Sequence, residues 1–184
     1  MALVILDRDG VINEDSDAYI KSIDEWIPIP GSLQAIARLN RAGFSVVVVT
    51  NQSGIARGLF SLDTLASIHQ FMIDCVAAEG GAIDAVFFCP HGPQDHCACR
   101  KPLPGLLHEV AERFGVSLDR VPAIGDSLRD LQAARAVGAR PILVRTGKGE
   151  RTIAKGTGLD GVEIYPNLAA AANALLQAPP RSIP

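Results

Sequence analysis

Short β-branched runs alternate with helix-periodic segments along nearly the whole chain, and that alternation leaves few folds open. The runs Ala2–Leu6, Phe44–Val49, Ala85–Phe88, Val121–Ile124 and Pro141–Val144 predict strands, with a weaker one at Val162–Ile164. Between them, Leu33, Ile36, Ala37 and Leu39 mark a helix that Pro30-Gly31 precedes and Gly43 stops. Leu65, Ile68, Met72, Cys75 and Val76 mark a second, and Leu106, Leu107, Val110, Ala111 and Phe114 a third. Leu128, Leu131 and Ala134 lead to Gly138 in a fourth, and Leu168, Ala171, Ala172, Leu175 and Leu176 form the last. The expected fold is α/β: a Rossmann-like open parallel sheet with helices on both faces, no separate cap domain and a metal-stapled loop. One domain over 1–177 fits the 184 residues, enough to bury roughly 70% of the unfolded surface. The Pro-rich end, 178–184, reads as a loose tail.

Right-handed crossovers put the carboxyl ends of such strands on one edge, where open α/β sheets bind ligands. Asp7 follows the first strand, Thr50 the second, Cys89 the third and Asp126 the fourth. Charge narrows what could bind there. Seventeen basic against twenty acidic residues give a net charge of −3, without the field that sequence-independent nucleic-acid binding needs. No nucleic-acid partner is expected, and an anionic ligand must be held by local cations. Apolar runs such as Leu3–Leu6 and Val46–Val49 are far shorter than the ~20 residues that span a bilayer. The N-terminus also lacks the basic start and long apolar stretch of a secretory signal. The expectation is a cytoplasmic monomer without a membrane partner, whose four cysteines are not structural disulfides.

Asp7-Arg8-Asp9-Gly10 sets two carboxylates two residues apart where the chain leaves a buried strand, with a glycine that permits an otherwise forbidden turn. Like charges that close call for a cation. Mg²⁺ suits them, because it takes oxygen ligands octahedrally and keeps water and phosphate in its shell. Gly125-Asp126-Ser127 can add a third oxygen. The plainer alternative makes Asp7 and Asp9 solvated turn residues and Asp126 a helix N-cap. Thr50-Asn51-Gln52-Ser53-Gly54 offers a hydroxyl, amides and a loosened backbone suited to a phosphate, and Arg100-Lys101-Pro102 adds cations.

Cys89-Pro90-His91 and Cys97-Ala98-Cys99 supply three thiolates and an imidazole, a full tetrahedral set for a structural Zn²⁺ with no open position. Reduced free cysteines or a redox pair are the alternatives. Pro90, Gly92 and Pro93 give this loop no core of its own, so a metal staple would stabilise it. Cys75 falls with Ile68, Met72 and Val76 on an apolar helix face and reads as an inert buried thiol. His96 reads as solvent-exposed, and His69 and His108 as helix-surface or packing residues without a function.

Together these residues resemble, from Leu3 to about Gly149, the four motifs of the haloacid dehalogenase-like phosphohydrolase superfamily: Asp-Xaa-Asp-Gly, a Thr after strand two, a Lys, and Gly-Asp with a further acidic residue, here Asp130. The resemblance implies that Asp7 is a nucleophile forming an aspartyl-phosphate and that Asp9 serves as acid and then base. It implies that Thr50 and Lys101 neutralise phosphoryl oxygens. It also implies Mg²⁺ held by Asp7, Asp9 (through its backbone carbonyl) and Asp126. The zinc loop, with Thr50–Gly58, Cys99–Pro102 and Leu143–Gly149, is similar to a zinc-bearing branch that includes sugar-bisphosphate and histidinol-phosphate phosphatases, the first being nearer. That implies a small phosphorylated sugar as substrate, met by Asp15, Ser16, Asp17, Ala18, Asn51, Gln52, Ser53, Arg57 and Arg100. A non-catalytic zinc-bearing adaptor is the rival from another class, but its expected mark, loss of the nucleophile or its metal partners, is missing from this sequence. Ile12–Pro30 reads as a flap, with Tyr19 and Trp26 either shaping the site wall or packing the flap.

Overall fold

The computed structural model describes residues 2–177. The strands are β1 (Ala2–Leu6), β2 (Phe44–Asn51), β3 (Ala85–Cys89), β4 (Pro122–Gly125), β5 (Arg140–Val144) and β6 (Glu163–Tyr165). They form one all-parallel sheet in the order β3-β2-β1-β4-β5-β6. The helices are α1 (Ser32–Arg41), α2 (Leu62–Ala78), α3 (Gly105–Phe114), α4 (Leu128–Ala136), α5 (Gly149–Lys155) and α6 (Leu168–Gln177). This is the open, doubly covered parallel sheet that the alternation of runs predicts. No described helix is long and apolar enough to cross a membrane. The predicted tail, 178–184, lies outside the described residues.

Each face of the sheet buries its own apolar layer. Val4 and Leu6 of β1, with Val46 and Val48 of β2, pack under α1, α2 and α6, where Leu33, Ile36, Ile68, Met72 and Leu175 close the core. Leu3 and Ile5, with Val47 and Val49, pack against Leu106, Leu107 and Val110 of α3 and Ala133 and Ala134 of α4. Full burial of side chains this size contributes roughly 1.5–3 kcal/mol each. Both layers depend on strict period-two alternation in the strands. The same parity governs what leaves the end of β1: Asp7 continues the α3/α4 series and Arg8 the α2 series.

The chain builds β1, β2 and β3 outward in one direction, then returns to add β4, β5 and β6 in the other. Between the carboxyl ends of β1 and β4 the connections diverge, and a crevice opens there. Three local differences from the sequence reading bear on that crevice. β2 runs on through Thr50 and Asn51, and β3 includes Cys89, because the β2–β3 ladder continues to the pair Asn51 with Cys89. α5 was not expected: seven residues with Gly149 and Thr152 as its buried positions give little periodicity to read. Asp126 does not cap α4. That position belongs to Ser127, whose N–H and hydroxyl both donate to Asp130, at 3.0 and 2.6 Å.

Candidate active site

A cleft of about 350 Å³ lies over the carboxyl ends of β1, β2 and β4. Its floor is acidic. Carboxylate oxygens of Asp7, Asp126 and Asp130 can all lie within 4.8 Å of one another. Lys101, 5% exposed, threads between two of them, with Nζ 3.2 Å from Asp7 and 2.6 Å from Asp130. The same Nζ donates to the Val49 carbonyl at 2.8 Å, so one ammonium ties β2 to the end of β1 and to the first turn of α4. Asn51 holds the Lys101 backbone at both ends, accepting from its N–H and donating to its carbonyl at 3.0 Å each.

One cation among three carboxylates leaves a deficit. Burial, with the charges of Asp130 and Asp9, pushes the Asp7 carboxyl up to about 7 despite Lys101. Burial, then Asp130 and Asp7, pushes Asp126 up to about 8. Asp130 moves the other way: burial would raise it, but Lys101 and Ser127 hold it below the usual range. A divalent cation between Asp7 and Asp126 would relieve that deficit, and an all-oxygen donor set suits Mg²⁺. Backbone geometry prepares the place. The Asp126 carboxylate accepts from the Lys148 N–H at 2.7 Å, and Thr152 of α5 donates to the Asp126 carbonyl at 2.9 Å. Gly10 (φ +81°) and Gly147 (φ +57°) close around it; a Cβ there would lie 2.1 and 2.2 Å from its oxygen, so neither position can carry a side chain.

Asp9 belongs to a different network. Arg8 Nε and Nη2 donate to Asp9 Oδ1 at 3.0 and 2.8 Å, and Nη2 also reaches Oδ2 at 3.0 Å. Asn13 donates to Oδ1 and Gln52 to Oδ2, each at 2.9 Å. Burial would raise the Asp9 carboxyl, but Arg8 and these amides overcome it and hold it below the usual range. Gln52 also donates to Thr50 Oγ1 at 2.9 Å, joining the two residues.

The walls are made by residues between 15 and 20, by the loop after β2, by the cysteine loop and by the first turn of α4. Asp15, Ser16, Asp17, Asn51, Gln52, Ser53, Arg57 and Arg100 all line the cleft, together with Asp7, Asp9, Thr50, Lys101 and Asp126. Ala18 does not: it is exposed, and its N–H turns back to Ser16 Oγ at 3.1 Å. Tyr19 lines the wall beneath Arg57, 5.8 Å away, while Trp26 is buried edge-on against Phe71, so the two aromatics divide between wall and packing. Lys148 also lines the cleft, paired with Asp15 at 2.7 Å. Arg129 was not singled out by sequence, although its place three residues after Asp126 in the first turn of a helix could have suggested it. Arg8 was missed too, and strand parity was its signal.

The cysteine loop is closed. Cys89 Sγ lies 3.7 Å from Cys97 Sγ and 3.1 Å from Cys99 Sγ, and His91 Nδ1 lies 3.6 and 3.3 Å from Cys89 and Cys99. Ligands about 2.3 Å from a tetrahedral zinc stand about 3.8 Å apart, so the donor set fits such an ion with small adjustments. The loop faces the cleft through Arg100, whose Nη1 donates to the His91 carbonyl at 3.2 Å.

Residues 98–171 match a family model described as "HAD-hyrolase-like". Relatives extend the match to most of the chain. A D-glycero-beta-D-manno-heptose-1,7-bisphosphate 7-phosphatase of Bordetella bronchiseptica is 59% identical over 96% of this chain and 99% of its own. The enzyme of the same name from Pseudomonas aeruginosa is 55% identical over 96% and 98%. The chain belongs to this family of haloacid dehalogenase-like phosphatases. A crystal structure of the D,D-heptose 1,7-bisphosphate phosphatase from B. bronchiseptica, complexed with magnesium and phosphate, superposes with a TM-score of 0.94 over the same shares of the two chains. One from Burkholderia thailandensis, 47% identical, gives 0.77 over 97% and 100%. The phosphatase described here is therefore a hydrolase of phosphate esters, and the adaptor alternative falls.

Proposed function

We propose that this phosphatase removes the C7 phosphate of D-glycero-D-manno-heptose 1,7-bisphosphate through an aspartyl-phosphate on Asp7. The observation that carries the choice of a bisphosphate is the distribution of cations. Lys101 sits on the floor among carboxylates. Arg57, Arg100 and Arg129 line the same cleft with no carboxylate partner among the described residues. Burial and the Arg129 charge both depress the Arg100 guanidinium, and an anion between the two would relieve that repulsion. A substrate with a second phosphate uses this arrangement, whereas histidinol phosphate would bring an amine to it.

In the first step an Asp7 carboxylate oxygen bonds to phosphorus as the bond from phosphorus to the C7 oxygen breaks, and Asp9 gives its proton to that oxygen. The arriving phosphoryl charge raises the proton affinity of Asp9 beside it. In the second step Asp9 takes a proton from water, whose oxygen attacks phosphorus and releases phosphate and Asp7. Thr50 and Lys101 hold the phosphoryl oxygens in line through both steps. Mg²⁺, held by Asp7, Asp126 and the Asp9 backbone carbonyl, would supply charge neutralisation at the phosphoryl group. Arg100→Ala, and separately Arg129→Ala, should lower kcat/KM for the bisphosphate at least about tenfold more than for p-nitrophenyl phosphate, which lacks a distal group. Equal losses on both esters would place these arginines at the reacting phosphoryl group.

Zinc in the Cys89, His91, Cys97 and Cys99 cluster has a structural role in this reading. Burial and the neighbouring thiols push the Cys89 thiol up to about 12, so without a metal it keeps its proton. Metal analysis of carefully reduced protein should find about one zinc per chain. Cys97→Ser should lower the zinc content and raise KM for the bisphosphate by loosening the carbonyl that holds Arg100. Zinc-free protein with parental melting temperature and KM would remove this role.

A further inference from the structure

The family's reaction accounts for Asp7 and Asp9 but not for the residue between them. Arg8 is wholly buried, and its position in the β1 parity sends it toward α2 rather than into the cleft. On α2, burial and then the Arg8 charge push the His69 imidazole down to about 3, so it offers Arg8 no anionic partner and stays a neutral ring. Arg8 Nη1 and His69 Nε2 are both buried without a hydrogen-bond partner among the described residues. Burying a guanidinium is costly, and an apolar residue would fill the space against α2 more cheaply. What Arg8 does gain is a closed network: Nε and Nη2 grip Asp9, Nη2 reaches Gln52 Oε1 at 3.3 Å, and Gln52 bonds both Asp9 and Thr50. With Asn13, every hydrogen bond that the described residues make to the Asp9 carboxylate comes from this network.

We propose that Arg8 is the positioning residue for Asp9: rooted in the α2 core, its planar fork fixes the orientation in which the Asp9 carboxyl meets the leaving oxygen, and Gln52 ties that orientation to Thr50 and so to the phosphoryl group. The fork matters, because two nitrogens on one rigid plane set a carboxylate's angle where a single ammonium does not. The Arg8 guanidinium reaches neither Asp7 nor Thr50, so the side chain acts through Asp9 and Gln52; the backbone N–H that donates to Asp7 at 2.7 Å is common to every Arg8 variant. The inference rests on Asp9 being the acid of the first step.

The test compares two esters that differ in their need for that acid. The C7 alkoxide of the heptose bisphosphate must be protonated as it leaves, whereas p-nitrophenolate leaves without help. Single-turnover phosphorylation of Asp7 is measured for the parent, Arg8→Lys, Arg8→Met, Asp9→Asn and the double variant Arg8→Met/Asp9→Asn. Both Arg8 variants should lose about tenfold to hundredfold on the sugar ester, less than the roughly 10²–10⁴-fold that a general acid supplies as a whole, with KM changed less than about threefold. Their loss on the aryl ester should be at least tenfold smaller. The double variant should fall no further on the sugar ester than Asp9→Asn alone, because the two residues act as one unit. Equal losses on both esters, or additive losses in the double variant, would overturn the proposal. So would failure of both Arg8 variants to reach a folded state by circular dichroism, which would assign Arg8 to the fold. A parent that phosphorylates on neither ester marks a failure of the underlying reading instead.

Discussion

Asp7→Asn should abolish turnover, by at least about 10⁴-fold in kcat, while leaving a protein that melts at or slightly above the parental temperature. The scale is that of removing a covalent nucleophile from a site whose remaining groups still bind and polarise the ester. The fold should survive because the amide matches the carboxylate in size and Asn Oδ1 can still accept the Arg8 N–H that Asp7 accepts at 2.7 Å. Its melting temperature should not fall, since the change removes a buried charge that burial and two nearby carboxylates already disfavour. Lys101 keeps Asp130, at 2.6 Å. The parent, quenched in acid during turnover, should carry protein-bound phosphate that hydroxylamine releases, and the variant none. A folded variant with near-parental kcat would move the attack from Asp7 to water, leaving the carboxylates only a metal-holding role.

What the sequence disclosed and what it hid follow from the range of the interactions. The strand runs, the Asp-Xaa-Asp-Gly turn and the cysteine loop are local: their chemistry is carried by residues within eleven positions of each other, and their spacing alone restricts what they can bind. The sheet order then brings Asp7, Thr50 and Asp126 to one edge, as right-handed crossovers require. Arg8 is harder to read for another reason. In the sequence it is one more charge in a polar turn, and only the strand parity that buries Leu6 and Val4 sends it into the core.

The support behind Asp126 was equally hard to read. It depends on Lys148 and Thr152, which lie 22 and 26 residues further on and are brought back by a seven-residue helix with almost no apolar periodicity. Tyr19 and Trp26 show where sequence cannot decide at all. Both are aromatic residues of one excursion, and which of them faces the cleft depends on a residue at positive φ, Tyr19 itself at +67°. Ala18 beside it has no polar side chain, and its backbone N–H is already taken by Ser16.

At Asp126, stability and activity should move in opposite directions. Metal-free Asp126→Asn should melt higher than the metal-free parent and should be inactive. Asp126 is 4% exposed and shares its corner with Asp7 and Asp130. Burial first, and then those two charges, lift its carboxyl from 3.8 to about 8. A carboxyl raised in the folded state destabilises the protein above its folded value, and the penalty fades as pH falls from about 8 toward 4. The amide carries no such penalty at any pH. It can still accept the Lys148 N–H through Oδ1, so the cost is a charged acceptor exchanged for a neutral one, on the order of 1 kcal/mol, against relief of a buried and crowded charge. A net gain of about 1 kcal/mol would raise the melting temperature by about 2–4 °C for a chain this long. The gain should be larger at pH 8 than at pH 5, and comparing the two proteins at each pH cancels the opposite trend of Asp130, which Lys101 and Ser127 hold low in both. Mg²⁺ should then stabilise the parent and not the variant, because a ligand raises the melting temperature only of the form that binds it. Calorimetry of chelator-treated protein at both pH values, with and without Mg²⁺, measures all of this. A metal-free variant that melts below the parent, or one that Mg²⁺ stabilises as strongly, would mean that Asp126 is held for packing and not for a cation.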